Sequence, residues 1–132
     1  EEFPDCGGEP GHRLCWALAL YRSGNELEAA HKLRHTMLLN VYVIPHLLGR
    51  KMGRIDMWHG SSDAEDWYVQ EIPAEFFSLW NDAERRWAEQ LYDSQGFKTV
   101  AARYTAIHIE LLDLPPGPRR SRLVDEAHSL ME

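Results

Sequence analysis

The chain has 132 residues and a net charge of −7 at neutral pH. This length predicts one domain, residues 1–132, which can bury a core without disulfides or a metal. The acidic balance argues against a general nucleic-acid-binding protein, and no apolar run is long enough to predict a membrane-spanning helix. Cys6 and Cys15 have no metal-site spacing, so a reducing cytoplasm is the default expectation.

The N-terminal third predicts a lead-in and two helices. Residues 1–11 contain two prolines and three glycines and are expected to be irregular. The opening Glu-Glu-Phe fits a processed chain or a domain excised from a longer protein. The first helix is predicted to bury Leu14, Ala17, Leu18 and Tyr21. Gly24 ends it, and Asn25 can cap the second helix, which ends at Asn40. The second helix is predicted to bury Leu27, Ala30, Leu33 and Met37.

The rest of the chain continues the helical pattern. A short helical turn or extended link is expected over 41–48, then an irregular stretch over 50–61. Helical spacing predicts helices over 61–72, 76–91 and 97–111, with a last amphipathic segment around 123–130. Arg119, Arg120 and Arg122 would lie at the unfavourable positive end of that segment, so the helix begins nearer Leu123 or the arginines meet negative groups. No strand-like alternation occurs. The fold class is therefore all-α, with five or six helices.

The stretch "LCWALALYRSGNELEAAHKLRHTMLLN" resembles one tetratricopeptide repeat, a pair of antiparallel helices with small residues where they touch. With Gly24 at the turn, Ala17 occupies the small position of the first helix. The contact positions of the second helix fall on Ala29, Leu33 and Thr36. Arg13 stands where a tryptophan is typical, and Val41 replaces the usual terminal proline.

A longer pattern, over roughly residues 14–88, resembles the suppressor of tumorigenicity 7 protein family and its bacterial tetratricopeptide-like relatives. The matching residues are Asn40, Tyr42, Val43, Leu47, Leu48, Gly49, Gly60, Ser61, Ala64, Tyr68 and Trp80. This resemblance implies a helical-repeat interaction module. It implies no catalytic residues.

Two histidines, His31 and His35, are four residues apart, a spacing that can bind one metal ion, and Glu28 lies one turn earlier. The HExxH motif is absent, and all three lie on or beside the polar face of the predicted helix. Surface histidines are the favoured interpretation, with no metal and no cofactor.

A basic run of Arg50, Lys51 and Arg54, followed by Trp58, stands out in this acidic chain. Cations beside an aromatic ring on a loop can bind an anion or an acidic partner. The competing interpretation is a solvated linker after a helix end, with Trp58 packed on the core. Tyr21 and Arg22, beside which a binding groove is expected, are the other two candidate binding residues.

The sequence therefore predicts a non-catalytic protein–protein interaction or scaffolding module that binds a protein or peptide, with a homodimer left open. One alternative is an anion or nucleic-acid contact module using the arginine clusters, although nucleic acid is disfavoured. A second alternative is a metal-dependent enzyme using His31 and His35.

Overall fold

The computed structural model describes residues 9–59 and 62–131. Over these residues it is helical, with eight α-helices and one 3₁₀ turn, Ser62–Ala64, and it contains no strand. The helices are α1 Pro10–Arg22, α2 Glu26–Leu39, α3 Val43–Leu47, α4 Tyr68–Glu71, α5 Ala74–Ser78, α6 Asp82–Tyr92, α7 Gln95–Leu111 and α8 Pro118–Leu130. The all-α prediction is confirmed. The predicted number of five or six helices is too low, because the helix predicted over 76–91 is divided into α5 and α6 and the predicted link over 41–48 contains α3.

The α1 and α2 helices pack on each other and form a helical hairpin. Gly24 makes the turn with φ of 90°, a conformation that favours glycine. Ala17 and Ala29 are fully buried, as the pattern of small residues predicts. The inward placement of Leu27 is wrong, since its side chain is 91% exposed. Asn25 precedes α2 but makes no side-chain cap; its amide donates to the Ser23 hydroxyl instead.

The first helix begins inside the predicted lead-in. Pro10 is the first residue of α1, where its missing N–H removes no helical hydrogen bond. Pro10 and Gly11 are buried, so residues 10 and 11 belong to the core rather than to an irregular segment. The earlier part of the predicted lead-in, residues 1–8, lies outside the described residues.

The helix predicted over 61–72 is replaced by the 3₁₀ turn and the short α4. The reason is a buried amide at the end of α2. Asn40 donates hydrogen bonds of 2.9 and 3.0 Å to the backbone carbonyls of Asp63 and Glu65. In a continuous α-helix those carbonyls would accept from N–H groups four residues later, whereas the Glu65 carbonyl accepts from the N–H of Tyr68, three residues later, at 3.2 Å. Asn40 also accepts from the N–H of Tyr42 at 2.9 Å and so fixes the chain on both sides.

The helix predicted over 76–91 is likewise divided, into α5 and α6. Asn81 and Glu84 form a capping box that begins a new helix at Asp82. Arg85 donates to the carbonyl of Phe77 at 2.8 Å, which satisfies an acceptor at the end of α5. The break after α5 is therefore fixed by side chains that spacing alone does not reveal.

The last three helices pack in sequence, α6 on α7 and α7 on α8, and α2 contacts both α6 and α7. Two residues join α6 to α7, and the Ser94 hydroxyl caps α7 by accepting from the N–H of Phe97 at 3.2 Å. The α8 helix begins at Pro118 rather than nearer Leu123, and two of its three arginines bind acceptors within the chain. Arg119 pairs with Glu110, and Arg120 donates to the carbonyls of Leu111 and Leu114.

Candidate functional site

The predicted binding residues Tyr21 and Arg22 contact α6. The Tyr21 ring stacks on Trp87, with centroids 4.3 Å apart. Arg22 donates hydrogen bonds of 2.8 and 2.9 Å to the two carboxylate oxygens of Glu84 and a third to the carbonyl of Leu79. The bonds from Arg22 hold the pKa of Glu84 below its usual value. This pair fixes the end of α1 to the first turn of α6.

Arg50 binds the other end of the same helix. Its guanidinium donates to both carboxylate oxygens of Asp93 at 2.9 and 2.8 Å and to Glu89 at 2.8 Å. These bonds lower the pKa of Asp93. Its neighbour Lys51 is exposed. Arg22 and Arg50 therefore hold opposite ends of α6.

Arg54 and Trp58 lie elsewhere. The Arg54 guanidinium is 3.8 Å from Glu65 and 3.7 Å from Asp66, too far for hydrogen bonds. Trp58 stacks on His108 with ring centroids 5.7 Å apart, and the backbone N–H of Trp58 donates to the His108 carbonyl at 2.8 Å. The structure thus does not bring the six predicted residues around one groove.

The histidine pair of α2 is not arranged as a metal site. His35 Nδ1 lies 3.3 Å from the Arg13 guanidinium. Burial, and then the nearby charge of Arg13, lowers the pKa of His35 to about 4. His31, one helical turn before His35, is exposed. Within the described ranges, no three of the His, Cys, Asp and Glu side chains form a group that could hold a metal ion.

A groove of about 410 Å³ lies where α2, the start of α7 and the end of α8 meet. We call it the α2–α7–α8 groove. It is lined by His31, Arg34, Leu38, Ser94, Gly96, Phe97, Val100, Leu130 and Met131. Leu38 and Phe97 are buried and form an apolar floor, and Val100, Leu130 and Met131 are half-buried beside them. The volume falls within the range of small-ligand and peptide-side-chain pockets, roughly 300–1,000 Å³.

One cation on the rim of this groove, Arg34, differs from Arg22 and Arg50. Its side chain is exposed, and it makes no hydrogen bond or ion pair in the part of the chain that the structure describes. Sequence reasoning missed Arg34, because it lies between the two histidines on a helix whose apolar spacing predicts packing in the hairpin. An apolar floor with a cation on the rim suits an apolar side chain next to a carboxylate.

Two buried histidines lie near Trp58. Burial lowers the pKa of His108, whose Nδ1 donates to the Tyr104 carbonyl at 2.9 Å. The His59 side chain is only 6% exposed, and its Nε2 is 3.6 Å from Glu65. Neither ring nitrogen of His59 has a hydrogen-bond partner among the described residues. The cavity beside them, about 30 Å³, has room for about one water molecule.

The chain matches no protein-family model, no curated protein and no solved structure. Across the described ranges, every helix is too short or too polar to cross a bilayer. What the protein does must therefore be inferred from its own side chains.

Proposed function

We propose that the chain is a non-catalytic protein-interaction module that binds an acidic peptide with an apolar anchor in the α2–α7–α8 groove. The single observation that carries this proposal is an exposed arginine, without an acidic partner among the described residues, at the rim of an apolar groove. The partner would place a large apolar side chain against Phe97 and Val100 and a carboxylate near Arg34. Bidentate pairing with a carboxylate is the interaction for which a guanidinium is best suited.

A tetratricopeptide-like arrangement of helices is part of this proposal. The α1–α2 and α6–α7 pairs would be two repeats, with residues 40–81 inserted between them and α8 as a cap. The contacts of α6 with Tyr21 and Arg22 of α1, together with its packing on α2, support this arrangement. Helical-repeat proteins bind extended or helical peptides along such surfaces. The likeness to the suppressor of tumorigenicity 7 family belongs to the same proposal.

The arginine clusters favour this function over polyanion binding. Arg50, Arg119 and Arg120 are paired with acids or backbone carbonyls of the chain itself. A polyanion would have to displace those partners. The metal-dependent alternative is also less favoured, because Arg13 lies beside His35. A cytoplasmic location and a homodimer stay predictions of the sequence.

A display library of random peptides, selected on the purified domain, tests the proposal. We expect selected peptides to carry a large apolar residue within two or three positions of Asp or Glu. Their affinity should fall about tenfold in Arg34→Gln, as expected for loss of one charge-assisted pair.

Arg86→Gln is the matched control, because Arg86 is exposed on α6 and does not line the groove. Its affinity for the selected peptides should equal that of the wild type. Peptides without acidic residues, or equal losses in both variants, would overturn the proposal.

A further inference from the structure

A second pocket lies where the first turn of α1 meets α4 and α5. Its volume is about 370 Å³. We call it the Trp67 pocket. It is lined by Glu9, Gly11, His12, Trp67, Tyr68, Glu71, Ile72, Pro73 and Phe76. It shares no lining residue with the α2–α7–α8 groove, so the two surfaces can act independently.

The aromatic side chains of this pocket are not all explained by packing. Trp67 is 50% exposed, although burying an indole ring would stabilise the fold. Phe76 is half-buried, and its ring centroid lies 6.1 Å from that of His12. Three aromatic side chains, Trp67, Tyr68 and Phe76, therefore border one open cavity. Such rings attract a cation placed over their faces.

The charged groups of the pocket favour the same ligand. Glu71 is exposed and makes no hydrogen bond or ion pair with any described residue. Glu9 lies 3.7 Å from His12 and accepts a hydrogen bond of 3.4 Å from the Tyr68 hydroxyl. Among the lining residues that the structure describes, the titratable side chains are Glu9, Glu71, His12 and Tyr68. No lysine or arginine is among the described residues that line the pocket, and its two glutamates outnumber its one histidine, so its formal charge is negative.

Hydrogen bonds of the Tyr68 hydroxyl hold the two sides of the pocket together. The Tyr68 hydroxyl accepts from the N–H of Gly11 at 3.2 Å, which satisfies one of the N–H groups left open at the start of α1. Burial, as the largest cause, raises the pKa of Tyr68, and the phenol therefore stays neutral and able to donate to Glu9. Tyr68 thus joins α4 to α1 and fixes the distance between Glu9 and the aromatic side chains.

From this geometry we infer that the Trp67 pocket binds an alkylammonium group, with Trp67 and Phe76 as aromatic contacts and Glu71 as the counter-charge. The group could be that of a free quaternary ammonium compound or of a lysine side chain. The chemistry of recognition is the same for both.

Calorimetric titration of the domain with choline, and with its neutral isostere 3,3-dimethylbutan-1-ol, tests the inference. Choline should bind about tenfold more tightly, since the two differ in charge and hardly in shape. Glu71→Gln should remove most of that difference and leave the isostere unchanged. Trp67→Ala should weaken both ligands. The side chain is half exposed, so thermal unfolding should show that this variant stays folded.

Glu75→Gln is the matched control, because Glu75 is exposed on α5 and does not line the pocket. It should bind choline as the wild type does. Equal affinity for choline and its isostere, undiminished binding in Glu71→Gln, or no binding of choline would overturn the inference. Titration with Nα-acetyl-lysine amide and its Nε-trimethyl derivative then distinguishes the sources. If either lysine derivative binds more tightly than choline, the pocket is assigned to a lysine side chain. If choline binds more tightly than both, the pocket is assigned to a free compound.

Discussion

The two ends of α6 and the α2–α7–α8 groove use the same residue type in opposite ways. At the ends of α6, Arg22 and Arg50 each make two or more hydrogen bonds to carboxylates of the chain. At the groove, Arg34 has no such partner within the described residues. An arginine that is paired inside the chain stabilises the fold, whereas an unpaired one beside an apolar cavity is available to a ligand. Of the basic run that stands out in the sequence, Arg50 belongs to the first kind.

The largest expected effect is on the Arg22 pair. Glu84→Ala removes both the capping box and the partner of Arg22, from a carboxylate that is only 5% exposed. We expect the free energy of unfolding to fall by about 3 kcal/mol, the sum of a lost cap and lost charge-assisted hydrogen bonds. Urea denaturation measures it. Glu75→Ala, at an exposed position of α5, should cost well under 1 kcal/mol; equal losses in the two variants would show that Glu84 has no special role.

A smaller effect should appear in the pH dependence of stability. The pKa of Glu84 is lowered from 4.5 in the folded protein, chiefly by Arg22. The pair therefore stabilises the fold at pH above about 4.5 and loses that contribution as the pH falls through the lower, folded pKa. Arg22→Gln should thus be less stable than the wild type at pH 7, by about 1–2 kcal/mol.

The wild type and Arg22→Gln should approach each other in stability as the pH falls through the folded pKa of Glu84, below which the carboxylate is protonated in both states. Denaturation midpoints at several pH values between 7 and 2 measure this convergence. A stability difference that does not change with pH would contradict the assigned role of the ion pair.

The smallest effect should come from the groove. Arg34→Gln removes an exposed side chain that has no partner among the described residues and should change the free energy of unfolding by less than about 0.5 kcal/mol. The same variant should lose about tenfold in affinity for acidic peptides. A large loss of stability would place Arg34 with Arg22, as a residue that holds the fold, and would remove the contrast between the two regions.

The sequence predicts the features of this structure that depend on contacts between residues close together in the chain. The α1–α2 hairpin follows from Gly24, Ala17 and Ala29, because a turn and its contacts are local. The breaks around α4 and α5 depend on Asn40 and Arg85, whose side chains bind distant or unexpected backbone carbonyls. Spacing of apolar residues carries no signal for such bonds.

The candidate site was harder to predict than the fold for the same reason. Arg34 and Leu38 lie in one short stretch, but the residues opposite them come from α7 and α8, about sixty to ninety positions later. Within a single sequence, Val100 and Leu130 are indistinguishable from ordinary core residues. Only their placement shows that they are half-buried beside an exposed arginine.

The most direct test of the central claim is a methyl-group NMR titration of the domain with one of the selected acidic peptides. Binding in the α2–α7–α8 groove predicts that the signals of Leu38, Val100, Leu130 and Met131 shift as peptide is added. The methyl groups of Leu20 and Val69, which do not line the groove, should stay unchanged. Shifts confined to residues outside the groove, or groove shifts of equal size and affinity in Arg34→Gln, would contradict the claim.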